Sequence, residues 1–474
     1  LNRESLRSLV AQPCESPLAE PSYADAQAVL QWALRDFEQL PAQRVGASGT
    51  PAELAALLAE PLPEAPSPFA TVLDRFTHAV MPYTYRIHHP AFLAFVPSAP
   101  TFTSILGDWL AAAANCFAGV WVEGAGPAQV EVTVLEWFRQ LLSMPAGASG
   151  LLTSGGSEAN LTALIAARER LPAAQHARAC LYVSEQRHWS VDRGARVMGL
   201  RPEQIRPVPV DAHLRLDLAA LERLFADDQR QGRPPLAVVA TAGTTNTGAI
   251  DPLPELAHWC RARGIWLHVD AAYGWANVLD PDGAAELAGL GEADSITLDP
   301  HKWLAQGYDV GALLVRDPAT LERAFVMRPE YLEDVAPEPG EVNFSDRGIA
   351  LTRRFRALKV WFSLKVLGVG WHRQMVTHTR RLAQYASLAL AEAGLIVDTL
   401  GMSIVCFHHP AGDDDGHRHV LRQLREEGEV FFSSTRLHGK VVWRFCFVNP
   451  RTTAETVDRA IDRLRTVFDR RPSG

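Results

Sequence analysis

Lysine is scarce in this chain, and one of the four lysines stands where an amine can do chemistry. Lys302 lies in Asp299-Pro300-His301-Lys302-Trp303, directly after the apolar run Ser295-Ile296-Thr297-Leu298; the others are Lys359, Lys365 and Lys440. A lysine ammonium whose pKa is lowered by burial or a neighbouring charge gives an amine that condenses with a carbonyl, which a guanidinium cannot do. Two more clusters follow apolar runs. In Thr153-Ser154-Gly155-Gly156-Ser157-Glu158-Ala159-Asn160 the glycines allow close backbone approach, and Ser157 adds a hydroxyl at the start of a helical pattern. A helix N-terminus offers free N–H groups and a positive dipole end, so Gly156 and Ser157 form a phosphate cradle. In His268-Val269-Asp270-Ala271-Ala272-Tyr273-Gly274 a carboxylate closes a buried run and small residues follow. Asp270 suits a protonated ring nitrogen, and Ala272 leaves space beneath a flat ring. Each cluster alone has a plain explanation: a surface lysine, a glycine turn, a capping aspartate. Together they meet the demands of pyridoxal 5'-phosphate: an anchor amine, a phosphate site and an anion for the ring nitrogen.

The elements that must hold these residues follow from periodicity. Leu151 to Thr153 reads as a short strand that ends at Gly155-Gly156, and Leu161, Leu164, Ile165 and Ala167 recur at helix spacing. Strands are expected at Cys180–Val183, Ile205–Val210, Leu236–Ala240, Ile265–Val269, Ser295–Leu298 and Val310–Val315. Helices are expected between them, including His188–Leu200, one capped by Asp217, and one from Pro254 to Arg263 that Gly264 ends. Strand–helix alternation over this length predicts an α/β protein with a mostly parallel sheet. Such sheets place ligands beyond the carboxyl ends of their strands. Residues 1–90 form an N-terminal helical segment, with periodicity at Ala52–Leu58 and Phe69–Val80. Residues 91–370 form the large cofactor-binding domain. A long helix starting near Arg353 leads into a small C-terminal α+β domain, residues 371–474, with strands near Ile396, Ser403–Val405, Val430-Phe431 and Val441–Val448. Asp413-Asp414-Asp415 reads as a solvated turn.

Composition excludes several classes. The chain has 474 residues, 47% apolar and 21% charged, which is ordinary for a folded globular protein. A net charge of −8 argues against bulk binding to nucleic acid or an anionic membrane. Residues 91–122 carry only Asp108 as a charge, but Pro97, Pro100 and Asn115 interrupt the stretch, so it reads as buried core or a subunit interface rather than a span. The six cysteines are scattered, without a CxxC pair, as expected for free thiols in a cytoplasmic protein. The chain begins at Leu1, and no basic region followed by an apolar one stands near that end. His88-His89 and His408-His409 lack ligand spacing, and no metal is expected.

These motifs resemble the group II pyridoxal-phosphate decarboxylases, which include the aromatic-L-amino-acid and glutamate decarboxylases. The resemblance runs from His89-Pro90-Ala91-Phe92 to Arg444 through Ser154–Asn160, His188, Gly243-Thr244-Thr245, His268–Tyr273, Pro300-His301-Lys302-Trp303 and Arg353–Lys359. It implies the fold-type-I (aspartate aminotransferase-like) architecture and a homodimer with interface active sites. It also implies roles. Lys302 is the cofactor-anchoring lysine, Asp270 the ring-nitrogen partner, Ala272 the floor and His188 the imidazole stacked on the ring. Gly156, Ser157, Thr245 and His301 hold the cofactor. Phe95, Val96, Ser98, Phe117 and Trp303 line the substrate pocket. Many relatives carry Asn where Asp299 stands, which puts a direct phosphate contact there at odds with charge. The implied reaction is decarboxylation of an aromatic or apolar L-amino acid to the amine and CO2.

One departure matters. In aromatic decarboxylases a loop Tyr nine residues before the first Arg of the Arg353-like motif assists protonation of the substrate carbon. Counting back from Arg353 reaches Phe344, which has no proton to give. Either another acid serves (His188, Lys302, a water or Tyr331), or the carbon reacts with O2 to give an aldehyde, as in plant aldehyde synthases with Phe at that site. An aminotransferase or lyase of the same fold would share Lys302 and Asp270 and add an Arg for the α-carboxylate, for which Arg444 is the candidate. A non-catalytic relative would lack Lys302 or Asp270, and both are present. Arg86 near the pocket stretch leaves an acidic substrate open.

Overall fold

The computed structural model describes residues 2–11, 22–327 and 336–470. The chain divides into two compact units, Leu1–Arg86 and Ile87–Gly474.

In the first unit, Tyr23–Gln39 is a helix capped by the Ser22 side chain. The helix Pro51–Leu58 opens with a capping box, in which Thr50 and Glu53 satisfy each other's backbone N–H groups. Phe69–Arg75 is helical, but the next turn, Phe76–Val80, widens into a π-turn, so the helix expected through Val80 ends early as an α-helix. Trp32 packs edge-on against Phe76 at 5.1 Å.

The second unit is built on a seven-stranded sheet. Its strands are β1 (Ser149–Thr153), β2 (Cys180–Ser184), β3 (Ile205–Val208), β4 (Pro235–Thr241), β5 (Trp266–Asp270), β6 (Ser295–Leu298) and β7 (Gly311–Val315). The spatial order is β1-β7-β6-β5-β4-β2-β3. β3, β2, β4, β5 and β6 run parallel, while β7 is antiparallel to both its neighbours. The mostly parallel α/β sheet of the fold-type-I class is therefore present. Every residue of β2 and β5 is buried, which explains their largely apolar sequences: helices cover both faces. The order also sets the site. The carboxyl ends of β1, β4, β5 and β6 meet at one edge, so Gly155, Thr241, Asp270 and Asp299 converge there.

A second sheet holds β8 (Ile396–Gly401), β9 (Ile404–His408), β10 (Ser433–Leu437) and β11 (Lys440–Cys446) in the order β10-β11-β9-β8, all antiparallel. The strand expected at Val430-Phe431 begins later, at Ser433; Phe431 instead bridges to Phe92 in a single parallel pair. The aspartate run is no free turn. Asp413 caps the helix Asp414–Glu427 by accepting from Gly416 N at 2.7 Å, and its acidic first turn complements the helix dipole. The long helix spans Ala357–Glu392 and is broken at Gly368, where φ is 73°. Phe102–Ala114 and Trp121–Leu141 are helices. No helix among the described residues is long and apolar enough to cross a membrane.

A buried ion pair ties this frame to the site. Arg353 and Glu131, both nearly inaccessible, meet at 2.5 Å. Glu131 also accepts from Leu152 N at 2.7 Å and Arg353 donates to Leu152 O at 3.0 Å. The pair thus fixes the last residues of β1, one step before the glycine turn.

Candidate active site

A cavity of about 560 Å³ opens at the sheet edge where these strands end. Its walls include Lys302, His188, Asp270, Ala272, Gly156, Ser157, Thr245, His301, Phe95 and Val96. Ten of the residues singled out from sequence motifs, spread from position 95 to 302, are therefore brought to one place.

Gly156 starts the helix Gly156–Glu169, so its first turn points backbone N–H groups towards the cavity. A side chain there would be tight: a Cβ on Gly156 would sit 3.0 Å from Asp299 Oδ2 and 3.2 Å from Ala272 Cβ, so its neighbours would have to shift. Glu158 does not face this space as a free anion, because Ser154 N and Oγ both donate to it at 2.7 Å. The β4 exit turn needs Gly243 as well. Its φ is +93°, and a Cβ would lie 2.8 Å from Met402 Sδ. That turn delivers Thr245 to the cavity.

Lys302 Nζ lies 3.0 Å from Asp299 Oδ2. Burial disfavours the ammonium, but Asp299 and then Asp270 outweigh it and hold the Lys302 pKa above the ordinary lysine value. Asp299 itself is buried, and its Oδ1 has no hydrogen-bond partner. His301 Nε2 is 3.6 Å from Asp299 Oδ2, while its Nδ1 accepts from Val310 N at 3.2 Å. Nδ1 being an acceptor, the proton of the neutral ring sits on Nε2, on the Asp299 side. Burial lowers the His301 pKa, against the pull of Asp299. Lys359 is buried on the far side of this loop, where its Nζ contacts Asp108 at 3.0 Å and the carbonyls of Gly307 and Tyr308 at 3.3 and 3.2 Å. It clamps the backbone that follows Lys302.

Asp270 accepts from Ala272 N at 3.1 Å through one oxygen and from Asn160 Nδ2 at 2.9 Å through the other. His188 caps the helix Trp189–Val197, and it also lines the cavity, so a capping role does not take it away from the site. Burial lowers its pKa, with Asp270 opposing. Phe95 stands at the cavity with φ of 55°, and its carbonyl accepts from Arg444 Nη1 at 3.0 Å. Arg444 also donates to Asn246 O at 3.0 Å and does not line the cavity. It braces the pocket wall and is not placed to grip a substrate carboxylate.

Four expected residues lie elsewhere in this chain. Ser98 is buried, with its hydroxyl given to Val448 O at 2.5 Å. Trp303 is fully buried: its Nε1 donates to Thr379 Oγ1 at 2.9 Å and its ring stacks on Tyr273 at 5.2 Å. Its side chain supports the cavity floor from behind because it points opposite to Lys302. Phe117 is held in backbone pairing with Arg354 and packs over Gly119, outside the cavity wall. Phe344 is fully buried, with Arg353 and Arg347 over its ring at 5.3 and 5.8 Å. The structure gives Phe344 a packing role, so the count back from Arg353 does not put it beside the reacting groups. Tyr331 lies outside the described residues. Arg86 is engaged by Asp36 at 2.6 Å within the first unit.

The motif reading missed Asn160, Ser190, Trp189 and Thr241 as cavity residues. Asn160 had a signal: an amide inside the apolar stretch Ala159–Ala167, on the buried side of a helix.

The site suits pyridoxal phosphate. A glycine cradle leaves little room for a side chain, a buried carboxylate keeps lone pairs free, and an amine lines the same cavity. Comparison with known proteins agrees. The pyridoxal-dependent decarboxylase conserved domain matches residues 51–409. An aromatic-L-amino-acid decarboxylase of Bacillus atrophaeus is 40% identical over 422 residues, covering 87% of this chain and 88% of the relative. Tryptophan decarboxylase 2 of Oryza sativa subsp. japonica is 31% identical over 437 residues, covering 88% of each. The crystal structure of Oryza sativa TDC with PLP and tryptamine superposes with a TM-score of 0.91 at 27% identity, over 96% of this chain and 99% of that one.

Proposed function

This chain belongs to the pyridoxal-dependent decarboxylase family and is a pyridoxal-phosphate-dependent carboxy-lyase, and on that premise we propose that its substrate is an aromatic L-amino acid, released as the amine and CO2. The observation that carries the substrate reading is the cavity lining. Phe95, Val96 and Trp189 give it apolar and aromatic walls, and among the described lining residues no arginine and no second lysine offers a fixed cation to a side-chain carboxylate. The curated relatives named above act on aromatic amino acids by name.

When bound, pyridoxal phosphate supplies a conjugated ring that takes up the electron pair left when CO2 departs. In this reading Lys302 would be the amine that anchors the cofactor, and Asp299, 3.0 Å from its Nζ, would take part in holding or releasing its proton. Asp270, oriented by Asn160 and Ala272 N, would accept the ring N–H and favour its charged form. Gly156 and Ser157 would hold the phosphate at the helix N-terminus, and Thr245 and His301, which line the same cavity, would be further cofactor contacts. His188, which lines the cavity, would cover the ring and exclude water from that side. With no arginine in the described lining, the departing carboxylate meets no tight clamp, as a leaving group requires.

A homodimer is part of the same proposal. Trp109 and Leu110, about half exposed on the helix Phe102–Ala114, and Leu351, 70% exposed, are large apolar side chains left to solvent. A cytoplasmic setting is proposed from four buried free thiols, Cys180, Cys260, Cys406 and Cys446.

The test is a panel of L-amino acids with protein and cofactor, with and without O2, assayed for amine, aldehyde and peroxide. Amine from an aromatic substrate without oxygen uptake is expected. Stoichiometric peroxide, or a preference for glutamate, overturns the reading. The visible absorbance of the bound cofactor should vanish from Lys302→Ala after gel filtration; its persistence would show that Lys302 is not the anchor.

A further inference from the structure

The two groups assigned to the cofactor ring, Asp270 and His188, are joined through one side chain. Asn160 is fully buried and makes three hydrogen bonds. Its Nδ2 donates to Asp270 Oδ2 and to Ser190 Oγ, both at 2.9 Å, and its Oδ1 is 2.9 Å from His268 Nε2. Beyond His268, Nδ1 is 2.8 Å from Ser295 Oγ, which accepts from Trp266 Nε1 at 2.8 Å; Thr297 Oγ1 is a second, 3.5 Å neighbour of His268 Nε2. Beyond Ser190, Oγ is 2.8 Å from His188 Nδ1, and Ser190 N donates to the same nitrogen at 3.3 Å.

The directions in this network are forced. An ionised carboxylate only accepts, so Asn160 must turn its amide nitrogen to Asp270 and its oxygen to His268. His268 then carries its proton on Nε2 and accepts from Ser295 at Nδ1. On the other branch, Ser190 Oγ accepts from Asn160, so its own hydrogen goes to His188 Nδ1. With a hydroxyl and a backbone N–H both pointing at Nδ1, His188 holds its one proton on Nε2. A second proton would collide with both donors.

We propose that Asn160 is a positioning residue that links the two groups: with one amide hydrogen given to the Asp270 carboxylate, its other goes to Ser190, and the Ser190 hydroxyl in turn holds His188 neutral with its hydrogen on Nε2. The chemistry asks for this pair. A protonated ring nitrogen needs an anion at its edge, whereas an imidazolium stacked on the same cationic ring would repel it. A single buried amide, with two donors and one acceptor, meets both needs at once. The proposal rests on the site roles assigned above but is tested without the cofactor.

The experiment is nitrogen NMR on apoprotein labelled with 15N-histidine, with signals assigned through His188→Gln. In the wild type, His188 should show a bare Nδ1 and a protonated Nε2 at neutral pH. The charged groups that face this ring are Asp270, Asp299 and Lys302, so the titration is followed with all three in place. Asn160→Asp keeps the shape, but the new carboxyl would share a proton with Asp270 2.9 Å away, leaving no donor for Ser190. The Ser190 hydroxyl then points to residue 160, and the His188 midpoint should rise by about one pH unit or more. Ser190→Ala should disturb the His188 tautomer while sparing the Asn160–Asp270 bond. In holoenzyme Asn160→Asp, which alters both branches of the network, should move the pH dependence of the cofactor absorbance further than Ser190→Ala, which alters only the His188 branch. A wild-type His188 protonated on Nδ1 overturns the proposal. So does a folded Asn160→Asp with wild-type tautomer and midpoint, the result of a merely structural amide. If Asn160→Asp does not fold, the wild-type tautomer and Ser190→Ala decide the matter. The site assignment itself fails separately, through a retained absorbance band in Lys302→Ala.

Discussion

Asp299 should slow covalent capture of the cofactor, and its replacement by asparagine should speed it. Two unit charges 3.0 Å apart, the separation of Lys302 Nζ and Asp299 Oδ2, attract by roughly 5 kcal/mol at an effective dielectric of about 20. Burial of the ammonium opposes that attraction, and Asp270 stays behind after the substitution. The net worth of a hydrogen bond to a charged group, about 1.5–3 kcal/mol, is therefore the better guide. Asparagine keeps the shape and an acceptor oxygen but removes the charge, so the free-amine fraction of Lys302 should rise about 10- to 100-fold near neutral pH. The assay is rapid mixing of apoprotein with pyridoxal, followed by absorbance across a pH series. Pyridoxal lacks the phosphate, which matters because Asp299 also borders the phosphate cradle at Gly156. The variant should react faster at neutral pH, and its profile should move to lower pH. With pyridoxal phosphate the gain should be larger, since an anion has left the side of a dianion. An unchanged profile with pyridoxal refutes the idea that the ion pair holds the amine protonated.

Other outcomes follow from the same geometry. Gly156→Ala should weaken cofactor binding by at least about tenfold while costing the apoprotein about 1–3 kcal/mol, because its Cβ meets Asp299 Oδ2 at 3.0 Å and Ala272 at 3.2 Å; fluorescence titration and chemical denaturation check the two parts. Arg353→Met strands the buried Glu131 carboxylate and should cost about 3–5 kcal/mol in urea unfolding. Burial pushes the His268 pKa down to about 4 from its ordinary 6.5, against the pull of Asp270. The folded state then resists a proton that the unfolded state takes up. Stability is full above pH 6.5 and should fall by about 3 kcal/mol as the pH drops to 4, with His188, His301 and His372 adding the same sign. His268→Asn should flatten part of that slope in denaturation curves measured across the window.

Much of this was legible without a structure. The largely apolar runs gave seven strands of the main sheet to within a few residues, most clearly in β2, β4 and β5, because a parallel strand buried on both faces must be largely apolar. The chemistry-bearing residues were legible for a related reason: each sits where such a run stops. Lys302, Asp270 and Gly156 differ in type from everything before them, and their types match one cofactor. Side-chain direction was not legible in loops, where no period links sequence to facing. Trp303 adjoins Lys302 in sequence yet points into the core against Thr379 and Tyr273. Phe344 was reached by counting along a loop, and the fold buries it beneath two arginines.

The sequence by itself determined which groups this protein owns: the amine, the carboxylate, the glycine cradle and the alternating frame that ends in them. Only the tertiary structure decided how they act on each other. Asp299 and Lys302 are three residues apart and become a charged pair; Asn160, Asp270 and His188 are distant in the chain and become one hydrogen-bonded unit. Proton states depend on distances of about 3 Å between groups from different elements, and sheet order sets those distances, which no local pattern encodes.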